Sequence, residues 1–205
     1  MNHRIWILAL LLSGCGGGDN TPSAGLKIFV TAETHSGDFA GDPTLSGANA
    51  IQKADAFCNK SSAKPSDDTY KALIVDGVSR DAASLTDWVL KPSTNYYQTY
   101  NDVLIDKTSA AALFTAYYSP LQHPINGCGR NCPDGTAIQV WTGIDDASTF
   151  AASPNVSNQW GQVGSVAGIS GAFASTLETG YYAFGSNGGS ASCSTTQFAL
   201  YCVQQ

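Results

Sequence analysis

The sequence predicts an α+β domain of short mixed and antiparallel strands, one or two helices and long loops. Three observations carry that expectation. Glu is nearly absent (only Glu33 and Glu178), while Gly, Ser, Thr, Ala and Asn are abundant, a composition that favours loops and short strands over a helical bundle. Apolar segments rich in β-branched and aromatic residues stand near both ends of the chain. Between them, one segment carries the spacing of an amphipathic helix.

The N-terminus is expected to be an export signal rather than part of the domain. Asn2, His3 and Arg4 form a short basic start, followed by an apolar run over residues 5–12. That run is too short for a bilayer span of roughly 20 residues, but it fits the apolar centre of a signal peptide. It ends in Leu12-Ser13-Gly14-Cys15, which resembles the lipobox of bacterial lipoproteins. The resemblance implies cleavage after residue 14 and lipid on the Cys15 thiol. Residues 16–23 (GGGDNTPS) have the composition of a flexible tether. Residues 1–14 thus read as signal, 15–25 as anchor and tether, and 26–205 as one domain. Gly16 rather than Asp follows the cysteine, so in a double-membraned bacterium the likeness to sorted lipoproteins implies delivery to the outer membrane.

Within the domain, Lys27-Ile28-Phe29-Val30-Thr31 and Phe198-Ala199-Leu200-Tyr201-Cys202-Val203 read as terminal strands. Ser46 is expected to cap a helix running to about Ser61, with Ile51, Ala54 and Cys58 on one buried face. Residues 70–75 form a third strand. Residues 84–118 combine a short helix over 85–90 with a strand around Val103-Leu104-Ile105. A further strand covers residues 138–144. Residues 145–180 are small and polar, with Trp160 as their one bulky anchor, and Tyr181-Tyr182-Ala183-Phe184 reads as a last short strand.

Charge excludes some partners. Loss of residues 1–14 removes Arg4, leaving nine basic against sixteen acidic residues and moving the net charge from −6 to −7. An acidic chain without a Lys/Arg cluster does not suit nucleic acid. It does not suit anionic lipid either, so membrane contact is expected through the lipid anchor alone.

The arrangement of one early helix, Trp141-Thr142-Gly143-Ile144, a long irregular stretch and two late cysteines resembles the C-type lectin-like fold. A closer similarity is to a bacterial lipoprotein family of unknown function that includes the leptospiral endostatin-like surface proteins. The matching pieces are Ile28-Phe29-Val30-Thr31, Leu45-Ser46-Gly47-Ala48 leading to Ala54-Asp55-Ala56-Phe57-Cys58, Tyr70-Lys71-Ala72-Leu73, Val140-Trp141-Thr142-Gly143, and Leu200-Tyr201-Cys202-Val203-Gln204-Gln205. In this order they cover nearly the whole mature chain. The resemblance implies a C-type lectin-like (endostatin-like) domain and a Cys58–Cys202 bridge. It also implies binding to host matrix proteins or a complement regulator.

Export implies an oxidising compartment, so the remaining cysteines read first as bridges. Besides Cys15, the chain carries Cys58, Cys128, Cys132, Cys193 and Cys202, an odd number that leaves one unpaired. The fold's pattern would pair Cys193 with a cysteine shortly before Trp160, where this chain has Val156 and Ser157. Either Cys128 bridges Cys132 and leaves Cys193 free, or one of that pair reaches Cys193. Pro133 and two glycines make the Cys128–Cys132 segment a loop, not the helix start that activates a redox thiol.

Catalysis is not expected. His35 and His123 are the only histidines after the signal, each in a polar loop, and no Gly-x-Ser-x-Gly elbow is present. Asp145 and Asp146 are adjacent on an extended segment, so they point apart and cannot converge as an acid/base pair. Sugar-binding C-type lectins hold calcium with a Glu-Pro-Asn or Gln-Pro-Asp loop and a Trp-Asn-Asp strand. Here Ser153-Pro154-Asn155 and Trp160-Gly161-Gln162 stand instead, which removes oxygen ligands that calcium needs. No metal or cofactor is therefore expected. Asp145, Asp146, Asn155 and Asn158 remain as candidate binding residues on a long loop, where function generally sits. The tyrosine groups Tyr96-Tyr97 with Tyr100, Tyr117-Tyr118 and Tyr181-Tyr182 offer rigid contact area of the kind used in protein binding. The expected function is non-catalytic binding of an extracellular protein at the cell surface, with a carbohydrate-binding module of the envelope as the alternative.

Overall fold

The computed structural model describes residues 25–125, 137–153, 160, 170–185 and 190–205. Its strands are β1 (Leu26–Val30), β2 (His35–Ser36), β3 (Tyr70–Ala72), β4 (Asn95–Gln98), β5 (Leu104–Lys107), β6 (Gln139–Trp141), β7 (Ile144–Asp146), β8 (Ala151–Ala152), β9 (Ser170–Ser175), β10 (Ser190–Ser192) and β11 (Gln197–Gln204). One α-helix, α1 (Ala50–Lys60), stands between β2 and β3. The α+β, lectin-like expectation is corrected by this count. Among the described residues the fold is mostly β, with a single α-helix, a nine-stranded sheet that curls into a half-barrel and a two-stranded sheet of β7 and β8.

The eight-residue β11 organises the sheet, whose order is β10-β9-β6-β11-β1-β4-β5. Along one edge β11 pairs antiparallel with β1, Phe29 opposite Cys202, and with β2, Phe198 opposite His35. Along the other it runs parallel to β6 and antiparallel to β3, Cys202 opposite Ala72. Strand side chains alternate between faces, so each central strand feeds two cores. Ile28, Val30, Leu73, Val75, Tyr201 and Val203 enter one with Tyr96, Phe114, Phe150 and Phe184. Phe29, Tyr70, Ala72, Leu200 and Cys202 enter the other, beneath α1, with Trp141 and Trp160. Burial on both faces explains the unbroken apolar runs at residues 28–30 of β1 and 198–203 of β11.

The helix buries Ala50, Ile51, Ala54 and Cys58, the expected face, but it starts later than expected. Asn49, not Ser46, is its N-cap and accepts a hydrogen bond from the Gln52 N–H at 2.9 Å. Cys58 on α1 is bridged to Cys202 on β11, so the link implied by the resemblance is present.

Other expectations change for physical reasons. Residues 85–90 form no helix, because Leu85 and Asp87 sit at φ 57° and 44°. The Asp87 carbonyl and carboxylate both accept from the buried Arg80 guanidinium, which turns the chain there. The strand expected over residues 138–144 is two strands, β6 and β7, interrupted at Gly143 with φ 70°. A Cβ at Gly143 would lie 2.4 Å from the Val75 carbonyl oxygen and 2.9 Å from Trp160, so only glycine fits. The segment expected as a strand over 181–184 is a 3-10 turn at Tyr181–Ala183. Trp160 is buried and its Nε1–H donates to the Val75 carbonyl at 2.7 Å, but it is not the sole bulky anchor of residues 145–180. Phe150 is also fully buried, against Trp88 and Phe184.

Candidate functional site

Two tyrosine pairs far apart in sequence meet on the surface beside Asp145 and Asp146. The first is set by alternation: Ala112, Phe114 and Ala116 are buried, and the chain then turns. The Tyr118 and Ser119 N–H groups both donate to the Thr115 carbonyl at 2.9 Å, which lifts Tyr117 and Tyr118 outward. Leu121 is buried again, and its N–H donates to the Thr179 carbonyl at 2.7 Å, tying this turn to the chain entering the second pair. There the 3-10 turn buries Ala183 and Phe184, leaves Tyr182 exposed and keeps Tyr181 half-buried against the core.

Beneath the patch, Phe114 and Phe184 stack with centroids 5.2 Å apart. Above them Tyr117 meets Tyr181 edge-on at 5.5 Å, Tyr118 packs on Tyr117 at 4.6 Å and Tyr182 on Tyr181 at 5.6 Å. Edge-to-face contacts among the four tyrosines fix the rings. Tyr118 is 79% exposed, Tyr117 51% and Tyr182 41%, and they are half of the exposed large apolar side chains among the described residues. Gly185 lets the turn close: a Cβ there would lie 3.1 Å from both the Tyr181 ring and the Ala147 side chain.

The acidic edge comes from β7. Asp145 is exposed and Asp146 is half-buried. The Tyr181 hydroxyl donates to the Asp145 carbonyl at 2.5 Å. The Asp146 carboxylate accepts from the Ser148 N–H at 2.7 Å and the Thr149 hydroxyl at 3.2 Å. The Ser148 hydrogen bond chiefly holds its pKa below the usual carboxylate value. Burial first, then the nearby charges of Asp146 and Asp145, push the Tyr181 hydroxyl above its ordinary value. An aromatic surface under a negative field attracts cations by ring quadrupole and by charge together.

The remaining candidate residues fall elsewhere. Cys15, Cys128, Cys132, Asn155 and Asn158 lie outside the described residues. Cys193 is buried and makes no bridge among the described residues; burial, then the charge of Asp38, pushes its thiol up to about 11 and keeps it protonated. His35 is not in a polar loop but on β2, stacked on Phe39 at 4.3 Å. Its Nε2 meets Asp42 at 3.0 Å and its Nδ1 meets the Ser36 carbonyl at 2.5 Å, so both ring nitrogens are engaged within the fold. His123 is exposed, with Nδ1 2.8 Å from the Leu104 carbonyl. No group of three or more metal-ligating side chains occurs among the described residues.

The sequence model of a family described as proteins of unknown function, DUF1554, matches residues 35–178. The chain belongs to that family. No curated protein matches it. The DUF1554 match takes in Tyr117, Tyr118, Asp145 and Asp146 and stops three residues short of Tyr181. It also leaves out β1 and β11, which the sheet cannot lack, so the structural unit is larger than the DUF1554 segment. Sequence reasoning found both tyrosine pairs and both aspartates but not their convergence, which no local pattern encodes.

Proposed function

We propose that the protein is a non-catalytic, lipid-anchored lipoprotein of the cell envelope that binds an extracellular protein through the tyrosine patch and its acidic edge. The observation that carries this reading is the patch itself. Exposed tyrosines whose rings are fixed by edge-to-face contacts with one another have the chemistry of protein-binding hot spots, which gain contact area at little entropic cost. The acidic edge and the net charge of −6 favour a partner segment bearing Arg or Lys. The likeness of the sequence to leptospiral endostatin-like surface lipoproteins supports a matrix protein or a complement regulator as ligand class. The engaged nitrogens of His35 support a binding role over catalysis.

Anchoring rests on the Leu12-Ser13-Gly14-Cys15 box. In a bacterial host, Cys15→Ala is expected to accumulate uncleaved precursor; cleavage and detergent partitioning like the wild type would overturn lipidation at that residue. For the binding face, immobilised matrix and serum proteins should capture the protein. Tyr118→Ser combined with Tyr182→Ser should weaken capture at least about tenfold, as loss of aromatic anchors does, and added salt should weaken it further. Capture indifferent to both substitutions and to salt would move the binding face elsewhere.

A further inference from the structure

A second site lies where the chain enters the domain, in a cleft of about 710 Å³ that shares no residue with the tyrosine patch. One wall is the turn between β4 and β5, with Tyr100, Asn101 and Asp102; the other is the loop after α1, with Ser66 and Asp68. Between them stand Lys27 of β1, Tyr70 of β3 and Gln204 of β11. We infer that this cleft binds a neutral saccharide.

On one side of the cleft the polar groups of Tyr70, Ser66, Asp68 and Gln204 are joined in one chain that ends on the Lys27 backbone N–H. The Tyr70 hydroxyl and Ser66 Oγ are 3.1 Å apart, and Ser66 Oγ donates to Asp68 Oδ2 at 2.8 Å. Gln204 Nε2 donates to the same oxygen at 2.7 Å, while Gln204 Oε1 accepts from the Lys27 N–H at 2.9 Å. Such a network holds donors and acceptors in fixed places before a ligand arrives. The Tyr100 ring, 48% exposed at the turn, offers an apolar face to the C–H side of a sugar ring. Charge narrows the class: Lys27 is ion-paired with Asp102 and lies 5.3 Å from the Tyr97 ring centroid, and Asp68 adds a further carboxylate. An anion would meet net negative charge, and an acyl chain would meet a lining of which about half is polar. A hydroxyl-rich, uncharged ligand matches both the hydrogen-bonding groups and the single stacking ring. The volume falls within the roughly 300–1,000 Å³ of small-molecule clefts, room for a short oligosaccharide.

Calorimetric titration of the whole chain with chitotriose, maltotriose and an uncharged galactan trisaccharide tests this, with a trigalacturonate as the charged control. At least one neutral trisaccharide should bind, and the trigalacturonate should not compete. Tyr100→Ala and Asp68→Asn, each checked for a native circular dichroism spectrum, should each weaken binding about tenfold or more. Tyr118→Ser should leave saccharide binding unchanged, which separates this cleft from the protein-binding face. The inference is overturned if no neutral trisaccharide binds, if binding survives both cleft substitutions, or if the uronic acid binds more tightly.

Discussion

Removing the Cys58–Cys202 bridge should lower the stability of the domain by about 5 kcal/mol, the upper end of the range for a bridge closing so long a loop. The two cysteines are 144 positions apart, so the bridge restricts nearly the whole domain in its unfolded state. It also joins the only helix among the described residues to β11, the strand that pairs with β1, β2, β3 and β6. Both sulfur-bearing residues are fully buried. Reductant alone should therefore act slowly on the native protein and quickly once urea opens it. The measurement is urea unfolding of the wild type, oxidised and reduced, beside a Cys58→Ala/Cys202→Ala variant. The midpoint should fall steeply in the last two, with a larger dependence on urea because the unfolded chain expands. A loss below about 1 kcal/mol would mean that the denatured chain is already confined and that the loop-closure account is wrong.

The parts of this fold that the sequence discloses are those where local pattern and tertiary environment agree. In β1 the residues 28–30 and in β11 the residues 198–203 each face one core or the other, so both segments read as apolar runs. In α1, Ile51, Ala54 and Cys58 repeat at helical spacing, and all three are buried. Elsewhere a distant group decides. Residues 85–90 have the apolar content of a short helix, yet Arg80 takes hold of Asp87 and bends the chain. The segments SGAFAS of β9 and SAS of β10 carry almost no strand propensity; they are strands because they pair with each other and β9 pairs with β6. The α+β expectation failed for these reasons, since one expected helix is a loop and strands of small residues went uncounted. The candidate site divides the same way. Exposure of Asp145 between buried Ile144 and half-buried Asp146 follows from strand alternation. The meeting of Tyr117 with Tyr181 depends on the Leu121–Thr179 hydrogen bond and the Phe114–Phe184 stack, whose partners are 58 and 70 positions apart. Arg80 gave one faint signal, being with Arg130 one of only two arginines beyond residue 14.

Asp55→Ala should cost about 4 kcal/mol, because it strands a buried guanidinium. Arg80 is fully buried between α1, β3 and the loop that follows β3. Its two terminal nitrogens donate to Asp55 Oδ1 at 2.9 Å and Oδ2 at 2.8 Å, the paired geometry that suits arginine and carboxylate. Nη1 also donates to the Ala72 carbonyl at 2.6 Å, and the Ala72 N–H donates back to Asp55 Oδ1 at 2.8 Å. Asp87 completes the cluster, accepting from Arg80 and Lys71. Loss of Asp55 leaves both the charge and the Ala72 N–H without that partner. Arg80→Met combined with Asp55→Leu should cost less than Asp55→Ala alone, because no buried charge remains to be compensated. Acid should erode part of the same stability. Burial raises the pKa of Asp87, but hydrogen bonds from Lys71 and Arg80 and their charges outweigh it and hold the carboxyl below its usual value. A folded pKa below the unfolded one adds stability that is present above about pH 4 and is lost as pH falls through the folded value. Urea midpoints of the wild type and Asp87→Asn should therefore differ at neutral pH and draw together as the pH falls through the lowered pKa of the folded carboxyl. If Asp55→Ala unfolds within about 1 kcal/mol of the wild type, Arg80 reaches water or another acceptor, and the cluster does not hold α1 against the sheet.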